Sequence, residues 1–323
     1  MMRRLDQRLG QVSPNLGSVE AVLVSAHGKT VIAHYRNRTP SKHTNVWSVT
    51  TSVMTLLVGV AIDEGQLSLD QTLSELLPDY RSQMTPQMGS ITLRHLLTMT
   101  SGIPDIGVPV FSADDTVGMI LTYGTVSDPG EQFAYSRSAA HLIGAVLAEA
   151  VNRSVLDYAR EKLFDPLGID SRPAWEGWDT DSKNSGFNRP GFAWGTDRQG
   201  VHSGCCMLKL TTADMIKIGE LYVNEGRWKG QRIVSAEWAR ESVRSQLTPG
   251  QLAAGEDSFG YGWWVGDDAY GHPWFDSGWF GHLVIGIPDL QLVIAVSSAD
   301  DVSDDFQQAL LPIIVEEVLK PFT

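Results

Sequence analysis

The segment Trp47-Ser48-Val49-Thr50-Thr51-Ser52-Val53 opens an apolar run that ends at Gly65. Apolar residues recur in it at helical spacing, which predicts a helix that begins at Ser48 and stops at the glycine. Glycine has no Cβ atom and therefore adopts the left-handed conformation of a helix C-cap without steric strain. Ser48 and Thr51 are three residues apart, so a helix places their side chains on one face. A serine nucleophile needs a base within reach, and threonine is no base near pH 7. One face of the helix is expected to carry Val53, Leu56, Leu57, Val60 and Ala61.

The composition is that of a soluble globular chain with a strong acidic excess. Its 323 residues suffice for one large domain or two interlocked ones, and the formal net charge is -13. This charge disfavours nucleic acid and anionic membranes as partners. The carboxylates are scattered, which favours a solvated surface over a metal site. We therefore expect no nucleic-acid partner, no membrane partner and no metal, and we expect no cofactor.

The N-terminus and the cysteines indicate the compartment. Arg3 and Arg4 resemble the start of a secretory leader, but no apolar stretch follows them and no run is long enough to span a bilayer. A cytoplasmic protein, or one whose leader has been removed, is expected. Cys205 and Cys206 are adjacent; neighbouring cysteines rarely bridge, and two ligands make no zinc site. They are predicted to be small buried residues in a packed strand.

Strand-rich ends flank a helix-rich middle. Residues 19–25 and 30–35 form a predicted hairpin around His27-Gly28-Lys29, and further strands are expected in the last third of the chain. Neither hairpin can cover its own apolar face, so the first and last strands must share one antiparallel sheet. The predicted architecture is an α/β fold, with a sheet domain over 1–75 and 203–323 and an all-helical or mainly helical lobe over 76–202. Helical patterns occupy 93–99, 138–151, 154–164, 212–222, 236–243 and 305–319, and Thr92, Thr211 and Ser235 are the expected N-caps of three of them.

The loop over residues 171–200 is rich in glycine, aspartate, asparagine and tryptophan. A loop of this length inside a compact domain is usually functional, so it is predicted to lie at the rim of the site. Its tryptophans, Trp194 among them, either line an acyl pocket or pack in the core.

Several motifs, in consecutive order, resemble those of the class C β-lactamase-like esterases, D-amino peptidases and nylon-oligomer hydrolases. A close match is Ile91-Thr92-Leu93-Arg94-His95-Leu96-Leu97-Thr98-Met99-Thr100-Ser101-Gly102. The resemblance implies a β-lactamase-like fold and a hydrolase that forms an acyl-enzyme on a serine. In that family the serine is followed by a lysine in a Ser-x-x-Lys motif. The other matching stretches are 63–70, 76–78, 129–137, 164–168 and 274–282.

The resemblance also implies roles for individual residues. Ser48 is the expected nucleophile, Tyr135 the proton shuttle, and Thr51 occupies the position of the lysine. Arg137 replaces a frequent asparagine, and the Asp276-Ser277-Gly278 stretch lacks the basic residue of the penicillin binders. These two differences favour neutral or amine-bearing acyl substrates. The remaining residues expected to contact the substrate are Trp194, Trp279 and His282.

Other interpretations of these residues remain open. Ser48 could be a helix N-cap, and Tyr135 a buried tyrosine with a satisfied hydroxyl. Ser48, His282 and Asp276 could form a hydrolytic triad, although a structural role suits His282 better. If Ser48 is the nucleophile, its backbone N–H and one on the strand after Gly278 would form the oxyanion hole.

The expected function is therefore hydrolysis or transfer of an acyl group from a small ester or amide through Ser48, impaired by the missing lysine. The alternative is an inactive homologue that binds a ligand or partner in the same cleft, with Thr51 arising either naturally or by engineering.

Overall fold

A seven-stranded antiparallel sheet organises the molecule. The computed structural model describes residues 18–36, 38–107, 112–179, 185–252, 257–266 and 272–299, together with 310, 313, 314 and 316. In chain order, strands β1 to β12 are Val19–Ala26, Lys29–Tyr35, Thr44–Asn45, Ala193–Trp194, Leu208–Leu210, Arg227–Trp228, Gln231–Arg232, Ser258–Phe259, Trp264–Gly266, Trp274–Trp279, His282–Ile287 and Leu292–Ser298. The main sheet has the order β2-β1-β12-β11-β10-β9-β8. Strand β1 pairs antiparallel with β12, which confirms that the two ends of the chain share one sheet.

The two faces of the sheet bury different apolar layers, as the alternation of side chains along a strand requires. Phe275, Val284 and Ala295 face the helices and join the larger core. Their neighbours Trp274 and Ile285 face the opposite layer, which also contains the buried Leu310, Ile313 and Ile314. The predicted helix over 305–319 lies largely outside the described residues.

Ten α-helices are described, and the first is the central one. Helices α1 to α10 are Val49–Asp63, Leu73–Leu76, Pro86–Gly89, Leu93–Leu97, Thr116–Tyr123, Arg137–Val151, Val155–Ala159, Asp165–Leu167, Thr212–Val223 and Ala236–Ser242. The sequence suggested one apolar face for α1, but residues 49 to 61 are all buried. Helix α1 contacts both α6 and α10. A helix that is buried on all sides needs an apolar surface all round, and this explains the burial of all these residues. At Gly59, a Cβ atom would collide with the Trp238 ring of α10.

The predicted helix starts are present. Thr92, Thr211 and Ser235 each accept a hydrogen bond from a backbone N–H of the first turn that they precede. The helix predicted over 154–164 differs, because it continues beyond Ala159 as a π-helical segment, Arg160–Phe164.

Two smaller sheets and the helices of residues 76–202 complete the described structure. Strand β4 lies within the predicted helical lobe and pairs with β5, which also pairs with β3. The division of the chain into a sheet domain and a helical lobe stays a prediction. Among the described residues, no single helix is both long and apolar enough to cross a membrane. The helices over 137–151 and 155–167 meet the length and hydropathy required of a membrane span only when they are counted together, and the chain bends by 76° between them.

Candidate active site

Ser48 precedes the first turn of α1 but does not cap it. Its backbone has φ −61° and ψ −17°, and its side chain makes no capping hydrogen bond. Instead, its Oγ accepts a hydrogen bond from the Tyr135 hydroxyl at 3.1 Å. Trp47, directly before it, has φ 48°, a left-handed conformation that costs energy for a side chain of this size. Ser48 thus occupies the N-cap position without capping the helix through its side chain, and the strained turn presents its hydroxyl to a cavity.

That cavity has a volume of about 420 Å³, within the range of small-molecule sites. Five residues singled out from the sequence line it, namely Ser48, Tyr135, Arg137, Gly278 and Trp279. The structure brings these residues together from three separate parts of the chain. The other described lining residues are Trp47, Asp105, Cys205, Cys206, Trp264 and Phe280.

Aromatic neighbours fix the position of Tyr135. Its ring stacks on Trp264, with centroids 6.3 Å apart, and meets the edge of Phe259 at 6.1 Å. Burial raises the pKa of Tyr135 to about 12, although the hydrogen bond to Ser48 opposes this rise. At neutral pH the tyrosine is therefore protonated, and it acts as a hydrogen-bond donor to Ser48 rather than as a base.

Arg137 does not provide the cation that Tyr135 would need. Its Nε donates to Asp105 Oδ2 at 2.8 Å, in an ion pair that is 40% exposed on the arginine side. Arg137 is the only cationic side chain among the described residues that line the cavity. Its charge is thus directed to a carboxylate at the wall and away from the Ser48–Tyr135 pair.

Thr51 lies behind the pair, outside the cavity lining. Its side chain is almost completely buried, and its Oγ1 has no hydrogen-bond partner of standard geometry among the described residues. The Thr51 hydroxyl still lies near enough to that of Tyr135 to oppose the rise of the tyrosine pKa. Thr51 therefore lies beside the Tyr135 hydroxyl but offers no base near pH 7.

The β10–β11 hairpin closes one side of the cavity. Phe280 and Gly281 have φ of 47° and 76°, the positive values that a tight two-residue hairpin turn requires. At Gly278 a Cβ atom would collide with the carbonyl oxygen of His282, so only glycine fits. The turn brings Phe280 against Trp47, with ring centroids 4.6 Å apart.

The proposed triad is wrong because the sheet separates its members. Asp276 pairs in register with Ile285 and faces the outer layer, away from α1. His282 is fully buried on the helix side, where its Nδ1 lies 3.4 Å from Thr44 Oγ1. Ser277 is also buried on the helix side, and none of the three lines the cavity.

The buried carboxyl of Asp276 predicts a stability that depends on pH. Burial, assisted by the charge of Asp257, raises the pKa of Asp276 from 3.8 to about 8. The folded state thus retains a proton that the unfolded chain releases, and stability falls as pH rises through that window. Asp276→Asn removes this loss and should stabilise the protein at about pH 9 by on the order of 4–6 kcal/mol, with little effect at about pH 4.

Thermal unfolding of both forms across this pH range measures the effect, with Asp79→Asn, at an exposed aspartate, as the matched control. Parallel stability curves for the Asp276 variant and the parent protein would contradict the raised pKa.

The long loop and Trp194 lie elsewhere. Trp194 is fully buried, and its Nε1 donates to the Ser203 carbonyl at 2.9 Å, so it packs in the core instead of contacting a substrate. Described loop residues 187–191 line a neighbouring cavity of about 960 Å³, which shares Trp47 and Cys206 with the first. The loop is therefore beside the Ser48 cavity and contributes no described residue to its lining.

Several lining residues were not predicted from the sequence. Trp264 lines the cavity at the start of β9, whereas Trp263, in the bend directly before it, is fully buried in the core. Cys205 and Cys206 lie in a bend before β5 and not within a strand. Asp105 had no sequence signal at all.

Among the described residues, no group of three or more histidine, cysteine or acidic side chains could hold a metal ion.

Comparisons with known proteins place this geometry in a family. Residues 17–317 match the family model described as Beta-lactamase. Penicillin-binding protein 4 of Amycolatopsis lactamdurans is 23% identical over 289 residues, which cover 77% of this chain and 70% of that protein. Protein flp of Staphylococcus aureus is 26% identical over 138 residues, or 40% of this chain and 27% of that protein.

A solved structure agrees with the fold. EstCE1, described as a hydrolase with promiscuous acyltransferase activity, superposes with a TM-score of 0.73 at 18% identity, covering 97% of this chain and 99% of that one. The family model covers most of the chain, and the matched residues include the antiparallel sheet and the central helix that follows Ser48. The chain therefore belongs to the Beta-lactamase family.

Proposed function

We propose that the protein is a serine hydrolase or acyltransferase that forms an acyl-enzyme on Ser48. The observation that carries this proposal is the 3.1 Å hydrogen bond between the Tyr135 hydroxyl and Ser48 Oγ, at the wall of a cavity of small-molecule size. A serine that follows a strained residue and does not cap its own helix is positioned for attack. EstCE1, described as a hydrolase with promiscuous acyltransferase activity, supports the reaction class.

The reaction follows from these groups. Ser48 Oγ attacks the carbonyl carbon of the substrate, and its proton leaves through Tyr135 when that hydroxyl is ionised. The Ser48 backbone N–H and one on the strand after Gly278 would stabilise the negatively charged oxygen. The alcohol or amine departs with a proton, and water or another acceptor then takes the acyl group from Ser48.

The cavity walls indicate the substrate class. Trp47, Trp264, Trp279 and Phe280 surround the serine with aromatic rings, which suit a small apolar acyl group. The only charges in the described lining are those of the Arg137–Asp105 pair, which compensate each other. A neutral or amine-bearing ester or amide fits this wall better than a carboxylate, and no cofactor takes part in the proposed reaction. A cytoplasmic location stays a prediction.

The proposed enzyme is slow at neutral pH. Tyr135 is protonated there, and the position that could hold an ammonium group is occupied by Thr51. Oxyanion stabilisation and substrate binding can sustain slow acylation without the base. The alternative, a homologue that only binds ligands, shares all of this geometry but predicts no acyl-enzyme.

A fluorophosphonate probe separates the two. The parent protein should gain one probe adduct, which peptide mapping places on Ser48. Ser48→Ala should gain none, and Ser41→Ala, at an exposed serine, should react as the parent does. The proposed enzyme activity would be contradicted if the folded parent protein stayed unlabelled, or if Ser48→Ala were labelled to the same extent.

A further inference from the structure

The two cysteines form an unassigned reactive group in the wall of the cavity. Cys205 and Cys206 are the only cysteines of the chain, and neither is in a disulfide. Their sulfur atoms lie 3.0 Å apart. Both residues line the Ser48 cavity, and Cys206 also lines the larger neighbouring cavity. A reagent small enough to enter either cavity therefore meets a pair of thiols.

The surroundings make the two thiols unequal. Ser203 Oγ lies 3.4 Å from the Cys205 sulfur and 3.6 Å from the Cys206 sulfur. The hydrogen bond from Cys205 lowers the pKa of Cys206, and Ser203 and the charge of Arg137 act in the same direction. Burial raises the pKa of Cys205 well above its usual value. Cys206 is thus the thiol that attacks first, and Cys205 the one that resolves.

The bend that holds the pair is bonded to the segment before the nucleophile. Asn45 Oδ1 accepts hydrogen bonds from both the Trp47 N–H, at 3.2 Å, and the Met207 N–H, at 3.1 Å. Val46 N–H donates to the Leu208 carbonyl at 2.8 Å. A change at residue 206 can therefore reach the strained turn at Trp47 through the Asn45 side chain and through one backbone hydrogen bond.

We propose that Cys205 and Cys206 are a dithiol modification site that exchanges with small disulfides, and that closing the Cys205–Cys206 bond slows acylation at Ser48. The site itself stands on the position of the sulfurs, whereas its effect on Ser48 rests on the proposed function. The ligand class is a low-molecular-weight disulfide that enters through the cavity.

The exchange is balanced in atoms and electrons. The Cys206 thiolate attacks one sulfur of the small disulfide, forms a mixed disulfide and expels the first thiolate, which takes up the Cys205 proton. The Cys205 sulfur then attacks the Cys206 sulfur, and the second thiolate leaves and is protonated by solvent. The protein loses two hydrogen atoms, that is two protons and two electrons, and one small disulfide becomes two thiols.

The geometry of the cysteine pair explains why closing the disulfide would slow acylation at Ser48 and why the bond would be readily reduced. A sulfur–sulfur bond measures about 2.05 Å, so closure moves the sulfurs together by about 1 Å. Adjacent Cα atoms are held about 3.8 Å apart, closer than most disulfides allow, so the bond is readily reduced. A displacement of about 1 Å near a reacting group can slow it roughly a hundredfold, and we expect a loss of about ten- to a hundredfold.

Intact mass spectrometry tests the site with 2-hydroxyethyl disulfide as the reagent. The parent protein should lose two hydrogen atoms without keeping an adduct, and dithiothreitol should restore the original mass. Cys205→Ser should keep one reagent adduct on Cys206, because it has no resolving thiol. A stable adduct on the parent protein, or no change in its mass, would overturn the dithiol site.

The rate of fluorophosphonate labelling then tests the coupling. Oxidised protein should label Ser48 about ten- to a hundredfold more slowly than reduced protein, with recovery after dithiothreitol. Equal rates after complete closure would overturn the coupling. If reduced protein is never labelled while the mass change occurs, the failure lies with the proposed function and not with the dithiol.

Discussion

Thr51→Lys is expected to raise ester turnover by about two to four powers of ten, the usual contribution of a positioned general base. Residue 51 lies on α1, three residues after Ser48, and its side chain faces the Tyr135 hydroxyl. An ammonium group there would lower the pKa of Tyr135 from about 12, and a neutral lysine could itself accept the Ser48 proton.

Hydrolysis of a p-nitrophenyl ester by the two forms measures this change. Thr51→Val is the matched control, because it keeps the shape of the side chain and removes its hydroxyl without supplying a base. A folded lysine variant that is no faster than the parent would show that the missing base does not limit the reaction. Arg137 and Asp105 would then be the next residues to examine.

A second large effect is expected from pH. Because the pKa of Tyr135 is raised to about 12, its ionised fraction grows with each pH unit below that value. Acylation at Ser48 should therefore rise about tenfold per unit between about pH 7 and about pH 10, without a plateau. Because this pKa is raised, molecules with ionised Tyr135, the active form, are the minority over this whole pH range.

Rates of fluorophosphonate labelling across that range give the profile. Tyr135→Phe should be slow and nearly independent of pH, and Thr51→Lys should reach its plateau at lower pH than the parent. A parent profile that levels off near neutral pH would assign the base to a group other than Tyr135.

The sequence was informative wherever a local pattern determines structure. The run after Ser48 predicted helix α1, and Gly65, with φ 73°, follows its end as expected. Capping residues such as Thr211 marked helix starts because a side-chain oxygen must satisfy the free N–H groups there. The alternating strands at both ends predicted the antiparallel sheet, since an exposed apolar face has to be covered.

The sequence was less informative wherever the outcome depends on distant contacts. Asp276 and Ser277 are neighbours, and only strand register decides which of them faces the helices. Trp194 was ambiguous because a tryptophan suits a core and a pocket equally, and its place was decided by the pairing of β4 with β5. The partnership of Arg137 with Asp105 joins residues 32 positions apart and had no local signal.

The central claim is that Ser48 carries an acyl group during the reaction. The most direct measurement is to mix the protein with p-nitrophenyl acetate, quench it with acid within the first turnover, and locate the acetyl group by peptide mass spectrometry. We expect acetylation of the peptide that contains Ser48, and none in Ser48→Ala. Acetyl found on Cys206, or on no residue while p-nitrophenol is released at the same rate, would contradict it.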